Sequence, residues 1–319
     1  MEPKKNPHPN SLLYPQLPTK EINFRELFRA LWKGKLVIIA TTIVFTVVSV
    51  IYALSLPNIY KADALLAPSE SSSGGGLSKM AGQLGGLAAL AGVNLGGGES
   101  SQTELAVQVM KSRQFIDLFI EKHNLLVPLM ATEGWELSTN KLVVDDKVYD
   151  SENGEWLRKP QGLRGAKPSK QEAFEVFSRE LLNVTLNKET GLYTVSISHY
   201  SPYVAQQWVT WLIEDINKVM RERTISETSQ NLAYLDTQLQ KTAITDMQST
   251  FYKLIEEQTK SLMLAEVQEE FVFKVVDPAV VPEVKSGPKR ALICVVGFLL
   301  GLLIGSLAVI TYFTFKEEK

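Results

Sequence analysis

Cysteine is almost missing from this chain of 319 residues: Cys294 is the only one. That excludes an intrachain disulfide and any cysteine-built metal site, and it leaves the redox compartment unread. Histidine is nearly as scarce. His8, His123 and His199 stand far apart without ligand-like spacing, so no metal site is expected. Neither charge dominates. With 33 Lys and Arg against 35 Asp and Glu, the net charge of -2 carries no footprint of nucleic-acid binding. The pattern G-x-x-x-x-G-K-[ST] is absent, as are G-x-S-x-G and H-E-x-x-H. Paired acids such as Glu256-Glu257 and Glu269-Glu270 sit in helix-like or helix-ending sequence and read as solvated surface. The expectation is a protein that is not an enzyme, with no catalytic residue and no cofactor.

Charge itself is missing from two blocks. Residues 36–56 hold no charged side chain; as a helix they are ~32 Å long, matching a hydrocarbon core of ~30 Å. Residues 291–313 are likewise uncharged. Two such runs predict two transmembrane helices. Ala53-Leu54-Ser55 resembles a signal-peptide cleavage pattern, but the apolar run exceeds the ~7–15 residues of a signal core and lies well inside the chain, which reads as an uncleaved anchor. Lys20, Arg25, Arg29, Lys33 and Lys35 precede the first span, and Lys316 and Lys319 follow the second. Lys61, Lys274, Lys285, Lys289 and Arg290 flank the spans on the intervening side. This weak bias, with the first span dominating, places both termini in the cytoplasm. The expected layout is a cytoplasmic tail (1–35), a first span (36–56), an extramembrane domain (57–290), a second span (291–313) and a short cytoplasmic tail (314–319).

Within the tail, the prolines of residues 1–19 imply disorder. Residues 22–32 place Phe24, Leu27, Phe28, Leu31 and Trp32 on one helical face, suited either to lie on membrane lipids or to extend the first span. Residues 59–67 alternate as a strand ended by Pro68. Residues 71–101 hold half of the chain's 20 glycines and form a Gly-rich loop, either resting on membrane or partner or simply mobile. Residues 103–126 read as one helix closed by Pro128, and 131–168 as an irregular insertion with one hairpin. Ser169 is a candidate N-cap for a helix over 169–181. Residues 182–199 read as a β-hairpin with its turn at 187–191. From Tyr203 to Asp277 there is neither glycine nor proline. Apolar residues recur there at three and four, from Ala205, Trp208 and Leu212 to Leu254 and Leu262. One helix to about Gln268 would be ~100 Å long, with the polar run Thr224 to Asn231 either facing solvent or marking a bend. Phe271, Phe273 and Val275 alternate as a strand that could join the strand at 59–67 in one sheet near the bilayer. Pro278, Pro282 and Pro288 then stiffen the approach to the second span. The predicted class is an α+β membrane protein with a membrane-proximal mixed sheet, helices, and a long extended periplasmic helical arm.

The second span carries Gly297, Gly301 and Gly305, a doubled G-x-x-x-G on one face. Small residues at this spacing let helix backbones approach closely. The partner is either the first span or another chain.

This order of parts resembles the polysaccharide co-polymerase family, the Wzz-type chain-length determinants of lipopolysaccharide O-antigen. The resemblance is carried by Tyr60-Lys61-Ala62, by Lys111-Ser112-Arg113-Gln114-Phe115-Ile116, and by Leu254-Ile255-Glu256-Glu257-Gln258-Thr259-Lys260. Its densest part is Phe273-Lys274-Val275-Val276-Asp277-Pro278-Ala279, leading to Pro282 and Pro288-Lys289-Arg290. It implies a non-enzymatic regulator in the bacterial inner membrane, with its bulk in the periplasm. Such a regulator forms a ring-shaped homo-oligomer, works with the O-antigen polymerase and has a lipid-linked glycan as a further partner. The glycine-rich stretch is similar to one in co-polymerases of capsule and exopolysaccharide export, which supply the alternative function, coupled to a separate kinase or outer-membrane channel. With no nucleotide-binding loop, a built-in kinase is not expected.

Overall fold

Alternating and helical apolar patterns here resolve into two compact units, residues 1–55 with 289–319 and residues 56–288. The computed structural model describes residues 31–69, 98–242 and 244–317. The glycine-rich loop up to residue 97, and the amphipathic segment at 22–32 apart from Leu31 and Trp32, lie outside them.

In the first unit, helices α1 (Lys35–Ser55) and α8 (Arg290–Glu317) are both long and apolar enough to cross a membrane. Their hydroxyl side chains cost little in such a setting because they bond within the helix: Thr42 and Thr46 each donate to the carbonyl four residues back, at 2.7 Å. Most of the large side chains of both helices are exposed, from Leu36 to Leu54 and from Leu292 to Phe315, as lipid-facing residues should be.

The second unit is built on strand β1 (Tyr60–Pro68), which alternates Ala62, Ala64 and Leu66 inward with Lys61 and Asp63 outward. It is followed by α2 (Gly98–Met110), α3 (Arg113–Lys122), α4 (Leu126–Met130), β2 (Thr132–Glu136), β3 (Lys141–Val144), β4 (Tyr149–Asp150), β5 (Glu155–Trp156) and α5 (Lys170–Val176). A π-helical turn, Phe177–Leu181, leads into β6 (Leu182–Leu186) and β7 (Tyr193–His199), then α6 (Pro202–Lys241), α7 (Thr245–Val267) and β8 (Phe273–Asp277). The main sheet has the order β6-β7-β1-β8. Its three pairings are all antiparallel, where a mixed sheet was expected. The long connections reverse direction through helices on one side, so no parallel crossover is needed. Ala62 and Ala64 leave room for α6, whose buried Ala205, Trp208, Val209, Leu212, Ile213, Ile216 and Met220 recur at helical spacing. Phe115, Ile116 and Phe119 of α3 and Phe177 close the same core. Each of these large side chains contributes roughly 1.5–3 kcal/mol on burial.

Three local readings change. Residues 98–130 form three short helices, because Asn124 adopts a left-handed φ of 53° and Ser112 caps α3 by accepting from the Phe115 amide. Pro128 therefore sits in the first turn of α4, where its missing N–H is harmless. The insertion holds two hairpins, β2–β3 and β4–β5. Most consequential, the expected single helix over 203–268 is two helices of 40 and 23 residues. Thr242 (φ -98°, ψ 121°) and Ile244 (φ -88°, ψ 115°) are extended, and the Gln248 side chain donates to the Thr242 carbonyl at 2.8 Å. The helix thus breaks at a place with neither glycine nor proline. α7 folds back along the outer half of α6 until Arg221 meets the Gln268 carbonyl at 3.5 Å.

Asn217 fixes where α7 hands over to the sheet. Its buried carboxamide accepts from the amides of Val272 and Phe273 and donates to the Phe273 carbonyl, each at 2.9 Å. Asn217→Leu would orphan three buried backbone groups. It is expected to cost about 2–4 kcal/mol, read as a lowered thermal midpoint of the protein in detergent.

Candidate functional site

The two ends of the second unit are laced together by backbone. The Ile59 amide donates to the Gly287 carbonyl at 3.0 Å, and the Ile59 carbonyl accepts from Ser286 and Gly287 at 2.8 and 3.2 Å. The Ser286 hydroxyl adds a bond at 3.1 Å and Lys285 reaches Asn58 at 3.4 Å. The segment carrying Pro278, Pro282 and Pro288 therefore does not hang free. It leaves β8, which is paired with β1, and returns to the start of the same strand. The rigid φ of proline suits a connection that must hold one extended path. On β8, the Glu270 carboxylate accepts from the Val275 amide at 3.1 Å, occupying a donor on the sheet edge.

In the span pair, the geometry gives each glycine a partner on α1. A Cβ at Gly301 would stand 2.8 Å from Phe45 Cβ and 2.9 Å from Thr42 Cα. One at Gly305 would meet Thr41 and Ile38, and one at Gly297 would meet Ser49. Partner numbers fall as glycine numbers rise, so the helices run antiparallel with matched four-residue steps. Gly34 continues the contact onto Val309. Sequence reasoning missed Gly34 and the facing Thr41, Thr42 and Ser49. The signal was there, as small and hydroxyl-bearing residues on one face of α1.

Three polar clusters lie elsewhere in the second unit. Lys122 at the end of α3 and His123, its C-cap, both engage the buried Asp215 of α6, His123 Nε2 at 2.9 Å, and the imidazole stacks on Trp211 at 4.3 Å. This ties α3 to α6. Glu172 receives Arg158 in a two-pronged ion pair at 2.7 and 2.9 Å and closes a capping box with Ser169. The Arg158 hydrogen bonds hold its carboxyl down at about 2. Arg158 also donates to the carbonyls of Gly165 and Ala166, so one side chain fastens the insertion to α5. His199 is buried, with Nδ1 accepting from the Ser201 amide at 3.1 Å. Its proton must therefore sit on Nε2, which donates to the Pro128 carbonyl at 3.2 Å. Burial pulls its pKa down to about 4. All three clusters use their charged or titratable groups in internal bonds. Among the described residues, no group of three or more His, Cys, Asp or Glu is placed to hold a metal ion.

Residues 20–123 match the family model described as chain length determinant protein (Wzz). Residues 236–312 match that described as "G-rich domain on putative tyrosine kinase" (GNVR). No curated protein matches the chain. Among solved structures, a full-length bacterial polysaccharide co-polymerase aligns over 92% of this chain and 99% of its own at 13% identity and a TM-score of 0.38. A fragment of WzzB, the polysaccharide co-polymerase from Salmonella Typhimurium, aligns over 72% and 99% at 12% identity and a TM-score of 0.27. Both superpositions are loose.

Acid should loosen the second unit in two steps. His199 is depressed in the fold, so its contribution is complete above its ordinary pKa of 6.5 and is lost as pH falls from there to about 4. That loss is on the order of 3 kcal/mol. Glu172 acts the same way between 4.5 and about 2. The thermal midpoint of the wild type should fall through both windows, and Glu172→Gln should flatten the lower one while costing roughly 2–3 kcal/mol at neutral pH.

Proposed function

We propose that this chain, which carries the Wzz chain length determinant domain over residues 20–123, sets the length of lipopolysaccharide O-antigen without itself catalysing a reaction. The observation that carries the reading is the coincidence of that match with the architecture. The matched segment holds the first span, β1 and α3, and β1 pairs directly with β8, which leads through the prolines to the second span. The protein sits in the bacterial inner membrane with both termini cytoplasmic and residues 57–290 periplasmic. It acts as a ring of identical subunits beside the O-antigen polymerase, and lipid-linked glycan is handled at the same place. Self-association is supported by the outer hairpin, where Tyr234, Tyr252, Met263 and Val267 are exposed, Val267 by 81%. A cluster of this kind on paired helices favours contact with another copy. Pro278, Pro282 and Pro288 act as the stiff coupling between sheet and span. Gly297, Gly301 and Gly305 act by keeping the spans tightly packed.

A second reading, a co-polymerase of capsule or exopolysaccharide export working with a separate kinase or outer-membrane channel, is favoured by the match of residues 236–312 and the glycine-rich stretch 71–101.

Deleting the gene should spread the O-antigen ladder on a lipopolysaccharide gel and remove its modal length. An unchanged ladder with lost capsule would transfer the assignment to the second reading. Gly301→Leu cannot fit unless the spans part, at a cost of about 1–3 kcal/mol. It is expected to shift the modal length and reduce particle size in light scattering; both unchanged would remove the glycine face from the mechanism.

A further inference from the structure

At the end of the main sheet where β7 stops and β1 begins, a cavity of about 280 Å³ opens among β1, α4, β2, the π-helical turn and β7. Three irregularities converge on it. The first is the π-helical turn Phe177–Leu181, whose Glu180 and Leu181 line the cavity; such turns recur at functional sites because they cost regular hydrogen bonding. The second is the break in β2–β3 register between Thr132 and Gly134, a distortion that re-aims side chains next to sites. The third is the Thr132 hydroxyl, which lines the cavity and is buried without any hydrogen-bond partner. A buried hydroxyl left unpaired is costly and calls for an explanation.

The lining says what would fit. Thr132, Ser198 and Tyr200 bring hydroxyls, Glu180 brings a carboxylate, and apolar groups such as Leu181 lie between them. No Lys or Arg lines the cavity, so an anionic head group finds no counter-charge there. His199 forms wall and not machinery, since both of its ring nitrogens are committed to Pro128 and Ser201. Interleaved hydroxyl, carboxylate and apolar surface matches a ring that carries hydroxyls around a C–H face. The volume lies just under the ~300–1,000 Å³ of drug-sized pockets, which suits one ring better than several. Ile59, a few residues beyond the end of α1, lines the same cavity, so the site stands in the stretch of chain that emerges from the first span.

We propose that this cavity binds one neutral sugar ring of the polysaccharide whose length the protein sets, with Thr132 and Glu180 as its hydrogen-bonding groups. The assignment of the ligand rests on the chain-length reading above. Binding is non-catalytic: the cavity offers a grip on a glycan and no activated nucleophile or base.

Saturation-transfer NMR on the full chain in nanodiscs tests this, with methyl glycosides of glucose, galactose, mannose and rhamnose as probes and methyl glucuronide as the anionic counter-probe. At least one neutral glycoside should give a signal, the glucuronide a weaker one, and Thr132→Val with Glu180→Gln should cut the neutral signal at least fivefold. Should the double variant fail to fold, Glu180→Gln alone, at an exposed position, should still weaken it at least twofold. Signal from no neutral glycoside, or the same signal from wild type and variant, overturns the site. The same variants are expressed in the deletion strain. If wild type restores the modal length and the variant does so equally, the site fails and the chain-length reading stands. If wild type restores nothing, the chain-length reading fails, and glycoside binding in nanodiscs is judged separately.

Discussion

The pairing of β1 with both β7 and β8 is the constraint on which the second unit depends. β1 comes directly after α1 and β8 shortly before α8, so this pairing binds the two ends of the second unit into one sheet. β7 pairs with Tyr60–Leu66 and β8 with Leu65–Pro68, and the alternation of the strand fixes which side chains reach the core. A slip by one residue would turn Ala62, Ala64 and Leu66 out and Lys61 and Asp63 in. The bonds of Ile59 to Gly287 add an isolated antiparallel bridge just before the strand. Everything else is hung on this frame: α6 on its face, the helical hairpin beyond, and the insertion pinned by Arg158.

Sequence alone carried the features whose physics is local. Two uncharged runs stand out because a single charge in lipid would have been expensive. Phe271, Phe273 and Val275 showed β8 by alternation, and Ser169 stood out as a helix cap, which the structure completes with Glu172. The register of Gly297, Gly301 and Gly305 was visible, and the facing Thr41, Thr42 and Ser49 carried a weaker signal as small and hydroxyl-bearing residues on one face of α1. The break between α6 and α7 was illegible for a physical reason. Thr242 and Ile244 are only mildly poor helix formers, and the reversal is fixed by packing of α7 on α6 together with the Gln248 bond to the Thr242 carbonyl. The cavity at the end of the sheet was equally silent. Thr132, Glu180 and Ser198 come from segments far apart in sequence, and each is unremarkable where it stands.

The polar residues divide by what they hold. Asp215, Glu172, Asn217 and His199 are buried and fully engaged, each joining a helix or loop to something distant in sequence. They specify geometry more than they add stability, since a buried charge spends most of its Coulomb gain on desolvation. Thr132 differs from them, a buried hydroxyl with no hydrogen-bond partner inside the protein.

The antiparallel hairpin of α6 and α7 also bears on how such a protein could change over generations. Beyond Met220, only Thr228 and Ala265 are buried within it. Whole turns added to or removed from both helices together would leave the core residues, the Asn217 clasp and the sheet register untouched. Reach is thereby uncoupled from foldability: the outer hairpin can lengthen or shorten as a freely adjustable dimension, while the sheet end of the molecule stays under strict selection for shape.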